Sequence, residues 1–287
     1  MVASFRCKER TLVIGRRTLV MGILNVTPDS FHDGGRARDP DAALERAAAL
    51  VAGGADVVDV GGESTRPGAA EVSGAEEIER VVPVIERIAS SLDVVVSVDT
   101  SKAAVAERAL AAGAHIVNDV TALGDPDMAD VVRRSGAGLA LMHMRGTPRN
   151  MQHDPRYDDV VEEVRAFLGA RVAFARAAGI AADRVVVDPG IGFGKSFTHN
   201  WELLRHLGRL RDLGWPVLVG LSRKTFLGEL VGGGGPERRG PPTFAAAVAA
   251  VLAGADLLRL HDPAEARPFL AVADRMRYGE ASEESAR

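Results

Sequence analysis

Gly54-Ala55-Asp56-Val57-Val58-Asp59-Val60 decides the fold: a glycine closes a helix and a short β-branched run follows it. The pattern recurs. Gly113-Ala114-His115 leads into Ile116-Val117-Asn118-Asp119, and Gly254-Ala255-Asp256 leads into Leu257-Leu258-Arg259-Leu260. A looser copy, Gly136-Ala137-Gly138, precedes the apolar run 139–142. Each copy reads as the joint between a helix and a buried strand.

Working outward from these joints, strands are expected at 19–24, 57–60, 94–98, 116–117, 139–142, 185–187, 217–219 and 257–258. Helical patterns fill the gaps at 41–52, 76–88, 102–111, 128–134, 158–178, 201–213, 225–231 with 244–253, and 264–277. Pro83 falls inside the second helix and is expected to kink or divide it. Eight alternating units with strands apolar on both faces predict an α/β protein, a closed (β/α)8 TIM barrel. A doubly wound sheet is the rival, but it does not usually need eight equivalent strands. Residues 4–7 and 11–14 flank a charged turn and predict a short N-terminal β-hairpin over the barrel bottom. One barrel domain is expected over 1–279, with 280–287 as a polar tail.

Composition agrees. The chain has 287 residues, 46% of them hydrophobic and 26% charged, with a net charge of −4. That excludes a disordered chain and argues against a nucleic-acid partner held by bulk charge. Aromatics are only 5% while glycines number 31, so the core must come from Val, Leu, Ile and Ala. The longest apolar run, 244–255, is far short of the roughly 20 residues of a membrane span, so no membrane partner is expected. The run 11–14 is too brief for the core of a signal peptide. Cys7 is alone, which excludes an intrachain disulfide and a cysteine zinc site and points to a reducing, cytoplasmic compartment.

In such a barrel the active site lies at the C-terminal mouth, on residues that follow the strands. Those positions read Asn25, Glu63-Ser64-Thr65-Arg66, Asp99, Asn118, His143, Asp188, Ser222-Arg223-Lys224, and Arg259 with His261. Asp99, Asn118 and Asp188 suit a flat heterocycle with a guanidine-like edge, whose donors a carboxylate accepts in pairs. Arg66, Arg259 and His261 form a cationic rim suited to phosphate or pyrophosphate. Asn25 adds a neutral oxygen, consistent with a Mg²⁺ held mostly by water and phosphate. Heterocycle below and phosphates above describe a transferase with pyrophosphate as leaving group.

Two look-alike motifs fall away. PGIGFGK (189–195) has Pro189 where a phosphate-binding loop has its first glycine, and it carries GxGxG, not GxGxxG. It reads instead as a Gly-rich loop close to a ligand, with Phe193 as an apolar wall. The chain has no zinc-helix motif and no Gly-x-Ser-x-Gly elbow, which lowers the case for covalent catalysis. His143 reads as a satisfied structural histidine, and Asp59 and Glu63 as residues that orient the second loop.

With these residues in place the chain resembles the bacterial dihydropteroate synthase family. The matching stretches are MGILNVTPDSFHDGG (21–35), DVGGESTRPG (59–68), SVDTSK (97–102), NDV (118–120), MHMRGTPRNMQ (142–152), DPGIGFGK (188–195), GLSRK (220–224) and RLHD (259–262). The resemblance implies condensation of 6-hydroxymethyl-7,8-dihydropterin pyrophosphate with para-aminobenzoate, giving 7,8-dihydropteroate and pyrophosphate in folate biosynthesis. It implies pterin ligands at Asp99, Asn118, Asp188 and Lys224, with Val120, Met142, Phe193 and Gly220 around the ring. Asn25, Arg66, Arg259 and His261 would hold pyrophosphate, and Asn25 with Asp33 would hold Mg²⁺. Thr65, Arg66, Pro67, Phe193 and Ser222 would form the para-aminobenzoate pocket, under a first loop carrying Phe31 and Asp33. Catalysis would fall to Asp99, Lys224, Arg259, His261 and Arg66. The family also implies a homodimer, for which helix 244–252 is a candidate interface, and a para-aminobenzoate pocket for which sulfonamides should compete. A pterin-dependent methyltransferase barrel and a non-catalytic pterin-binding paralogue are the alternatives.

Overall fold

The computed structural model describes residues 3–27, 40–64, 68–69 and 71–279. Strands β1 (Ala3–Cys7) and β2 (Arg10–Ile14) pair antiparallel as the expected hairpin. The barrel then runs β3 (Leu19–Asn25), α1 (Pro40–Ala52), β4 (Val57–Gly61), α2 (Gly74–Ser91), β5 (Val95–Asp99) and α3 (Ala103–Ala111). It continues through β6 (Ile116–Asp119), α4 (Met128–Ser135), β7 (Gly138–Met142), α5 (Val160–Ala177) and β8 (Val185–Asp188). The last part is α6 (Phe197–Arg205), α7 (Leu207–Arg211), β9 (Leu218–Gly220), α8 (Thr225–Glu229), α9 (Gly240–Ala253), β10 (Leu257–Leu260) and α10 (Pro263–Tyr278).

The eight barrel strands are parallel, in the order β8-β7-β6-β5-β4-β3-β10-β9. The two ends of that order meet: Val187 bridges Val217, and the Val187 N–H donates to Pro216 O at 3.0 Å. The sheet is therefore closed, as the eight repeats predict. Alternation along each strand divides the apolar residues into two layers. Val58, Val60, Val96, Val98, Val117, Leu139, Leu141, Val187, Val219 and Leu258 face the helices. Met21, Val57, Val95, Ile116, Ala140, Val186, Leu218 and Leu257 face inward at the bottom, where Phe5, Cys7 and Ile14 of the hairpin cover them. Gly138 makes room for this plug, since a Cβ there would stand 2.8 Å from the Phe5 ring and 3.0 Å from Cys7 Sγ.

Several boundaries differ from expectation for local reasons. Pro83 does not divide α2, which runs unbroken over 18 residues. Burial of Val81, Val84, Ile85 and Ile88 on one face offsets the single hydrogen bond that proline removes. The helix also starts early because Ser73 Oγ accepts from Glu76 N–H at 3.2 Å. The helix expected at 201–213 starts at Phe197, where Ser196 and His199 form a reciprocal cap, and breaks at His206. Strands β5, β6 and β8 extend upward to include Asp99, Asn118 and Asp188.

Candidate active site

Stepping two residues up each strand from the apolar bottom layer gives the inward-facing residues of the mouth. They are Asp59 above Val57, Ser97 and Asp99 above Val95, Asn118 above Ile116, Asp188 above Val186, and Arg259 above Leu257. Met142 and Gly220 lie on the same face above Ala140 and Leu218, and Asn25 ends β3. Part of the polar set expected from the strand ends, Asn25, Asp99, Asn118, Asp188 and Arg259, therefore does converge. It lies inside the barrel ladder, with Asp99 paired in register to Asn118 and Met142 to Asp188.

Arg259 is not a rim residue, as the sequence suggested. Its guanidinium sits inside the mouth, where Nε donates to Asp59 Oδ2 at 2.6 Å and Nη2 to Asp99 Oδ2 at 2.7 Å. Asn118 Nδ2 donates to the same Asp59 oxygen at 3.1 Å. Asp59, set aside by the sequence reading, is thus central. A lone carboxylate within the apolar strand run 57–60 was the sequence signal that could have found it. Burial raises the Asp99 carboxyl pKa, neighbouring Asp59 adds to the rise, and Arg259 opposes it. The same two carboxylates hold the Arg259 guanidinium protonated against its own burial.

Asp188 Oδ1 accepts from Gly190 N–H at 2.7 Å, which orients the carboxylate at the foot of the Gly-rich loop. Burial pushes its pKa up to about 6, against the pull of that hydrogen bond and of Lys224. Gly190 has φ +66 and packs so closely that a Cβ would meet His143 O at 1.9 Å, so only glycine fits. Three successive carbonyls of this loop each take a donor. Gln152 Nε2 binds Gly192 O at 2.7 Å, Lys195 Nζ binds Phe193 O at 2.9 Å, and Tyr157 OH binds Gly194 O at 2.8 Å. The loop is held so that the Phe193 ring lies under Lys224 Nζ, 4.0 Å from its centroid.

Lys224 is brought inward by a left-handed residue, Arg223 at φ +56, whose own guanidinium turns away to Asp262. Burial lowers the Lys224 pKa to about 8, Arg259 pushes it the same way, and Asp188 and Asp99 resist. His143 points out of the barrel, consistent with a structural histidine: Nδ1 meets Lys195 Nζ at 2.9 Å and its ring lies edge-on to Phe167. Burial and Lys195 depress it to about 3, so it stays neutral. The Lys195–His143 contact was not foreseen in sequence.

Ser222 Oγ accepts from His261 N–H at 3.1 Å and lies 2.8 Å from His261 Nδ1, so these two predicted residues meet beside the mouth. Val120 is buried just beyond β6. Glu63 does brace the second loop, accepting from Val72 N–H at 3.0 Å and from Lys102 Nζ at 2.5 Å, while Lys102 also reaches Glu77 at 2.6 Å. Phe31, Asp33, Thr65, Arg66 and Pro67 lie outside the described residues.

The pterin binding enzyme family matches residues 21–261 of the chain. The dihydropteroate synthase of Escherichia coli (strain K12) is 46% identical over 246 residues, spanning 86% of this chain and 87% of that protein. Among solved structures, Yersinia pestis dihydropteroate synthase with a sulfonamide drug superposes with a TM-score of 0.90 at 45% identity, covering 96% of this chain and 99% of that one. The Xanthomonas albilineans enzyme with 4-aminobenzoic acid gives a TM-score of 0.90 at 47% identity, covering 96% and 98%.

Proposed function

The chain belongs to the pterin binding enzyme family, among its dihydropteroate synthases, and from that premise we propose how its mouth divides the work. The reaction joins 6-hydroxymethyl-7,8-dihydropterin pyrophosphate to para-aminobenzoate and releases pyrophosphate, a transferase step of folate biosynthesis. Asp188, Asn118 and Asp99 bind the pterin from the barrel interior, with Met142, Val120 and Gly220 packing on the ring and Lys224 adding a cation. Arg259, His261, Asn25 and Arg66 take the pyrophosphate. Phe193, Ser222, Thr65, Arg66 and Pro67 receive para-aminobenzoate under the first loop with Phe31. The observation that carries this reading is the Arg259 guanidinium seated against Asp59 and Asp99 in one buried cluster. It puts an anion-binding cation directly beside carboxylates for a donor-rich ring.

Loss of pyrophosphate leaves positive charge on the exocyclic methylene, delocalised into the dihydropterin. Asp99 and Asp188 lie inside the barrel and favour that cation, while Arg259 and His261 favour the departing anion. The arylamine is unprotonated at neutral pH and attacks without a dedicated base.

Of the residues expected to hold Mg²⁺, Asn25 presents a neutral oxygen at the mouth, which suits the ion. A Cβ on Gly61 would lie 3.6 Å from Asn25 Oδ1 and 3.7 Å from Asp99 Oδ2, so two oxygens flank one point at the mouth. The ion would be carried mainly by pyrophosphate and water. Asn25 and Asp33 would hold it, and it would supply positive charge against the leaving group.

Residues 1–279 act as one barrel domain. The protein works in the cytoplasm as a homodimer through α9 and α10. On α9 only Leu252 is a large exposed apolar residue, and Phe269, Val272 and Met276 of α10 extend the stripe. No helix among the described residues is long and apolar enough to cross a membrane.

Purified protein given the pterin pyrophosphate, Mg²⁺ and para-aminobenzoate should yield dihydropteroate, and sulfonamides should compete with para-aminobenzoate. Absence of product at high enzyme concentration would sink the reading, and pterin binding without turnover would return the non-catalytic paralogue. A pH profile adds a second check. Lys224 is charged below about 8 and neutral above it, so kcat/KM for the pterin substrate should fall on an alkaline limb centred there. Lys224→Arg should move that limb upward; a limb that stays put assigns it to another group.

A further inference from the structure

We propose that Asp59 is a positioning residue that joins the two halves of the site, setting Arg259 for the phosphates and Asn118 for the pterin. The inference rests on the reading of the mouth given above. Asp59 is fully buried, on the inward face of β4. A carboxylate so placed is costly unless its oxygens are satisfied. Yet Oδ2 takes both donors, Arg259 Nε at 2.6 Å and Asn118 Nδ2 at 3.1 Å, while Oδ1 has no partner among the described residues.

Arginine and a carboxylate frequently pair two-to-two, with both oxygens on one guanidinium fork. Here the fork is split across neighbouring strands, with Nε on Asp59 and Nη2 on Asp99. Two anchors fix the guanidinium plane and use two of its five hydrogens, leaving three for an anion. When the pterin engages Asp99, the Asp59 bond still keeps Arg259 in place. On the other side, spending the Asn118 Nδ2 donor on Asp59 leaves the Oδ1 acceptor for an N–H of the pterin. One oxygen thereby orients two recognition groups that touch different parts of the substrate.

The test uses the full-length protein and two separate ligands, inorganic pyrophosphate with Mg²⁺ and the phosphate-free 6-hydroxymethylpterin. Asp59→Asn should raise Kd for both, each about tenfold or more. Arg259→Met should weaken chiefly the pyrophosphate, and Asn118→Ala chiefly the pterin. In the Arg259→Met background, Asp59→Asn should leave pyrophosphate affinity unchanged and still weaken the pterin. That double variant also serves if Asp59→Asn alone does not fold. Wild-type affinities in a folded Asp59→Asn protein, or a lower melting temperature with unchanged Kd, overturn the role of Asp59. So does unchanged pterin affinity in the double variant. Wild-type protein that binds neither ligand overturns the reading of the mouth itself, and this role with it.

Discussion

Arg259→Ala should melt well below the parent protein and form no measurable dihydropteroate. Its guanidinium is the cation bonded to both Asp59 and Asp99 in the mouth. Removing one partner of a buried ion pair costs about 3–5 kcal/mol, because the remaining charge stays desolvated. For a chain of this size that corresponds to a fall in melting temperature of roughly 5–8 °C. Read from sequence alone, Arg259 is a rim residue that meets the ligand and not the interior. The buried bridge reverses that expectation. Arg259→Lys should recover part of the stability but little activity, since a compact ammonium cannot span two carboxylates as the planar fork does. An Arg259→Ala protein with the parental melting temperature would show that the bridge contributes nothing to the fold.

The second large effect is expected from Asp188→Asn. The variant keeps an oxygen to accept from Gly190 N–H, so the Gly-rich loop should hold its shape. What disappears is the negative charge facing the pterin edge. A charge-assisted hydrogen bond contributes about 1.5–3 kcal/mol, so KM for the pterin pyrophosphate should rise roughly 10- to 100-fold. KM for para-aminobenzoate should stay within a factor of a few. Asp188 also holds the Lys224 pKa up, so the alkaline limb of kcat/KM should move to lower pH in this variant. Steady-state kinetics across pH checks both effects at once. An unchanged KM would place the pterin edge elsewhere.

The eight units were legible because each strand is a short apolar run, four of them led by a glycine that closes a helix, and such runs can be counted along a chain. Strand ends were less legible. Polar Asp99, Asn118 and Asp188 read as loop residues, yet parallel pairing uses only the backbone and carries the ladder through them. Asp59 was the main site residue passed over. Its valine neighbours mark a buried strand, and only the inward placement of Val57 shows which way its carboxylate points. Lys195 and Lys102 were hidden for another reason. Their partners, His143 for the one and Glu63 with Glu77 for the other, come from separate loops and helices.

By itself, then, the sequence determined the closed barrel, its polar mouth and the family to which the chain belongs. Each depends on local order: glycine at helix ends, apolar runs of strand length, and motifs read residue by residue. The tertiary structure alone decided which polar groups meet. It moved Arg259 from the rim into a bridge between Asp59 and Asp99, seated His261 on Ser222, and set Lys224 over Phe193. Those pairings depend on strand register and on loops crossing between strands far apart in sequence. Burial then gives them their energies, because charges taken out of water depend on the partner that folding supplies.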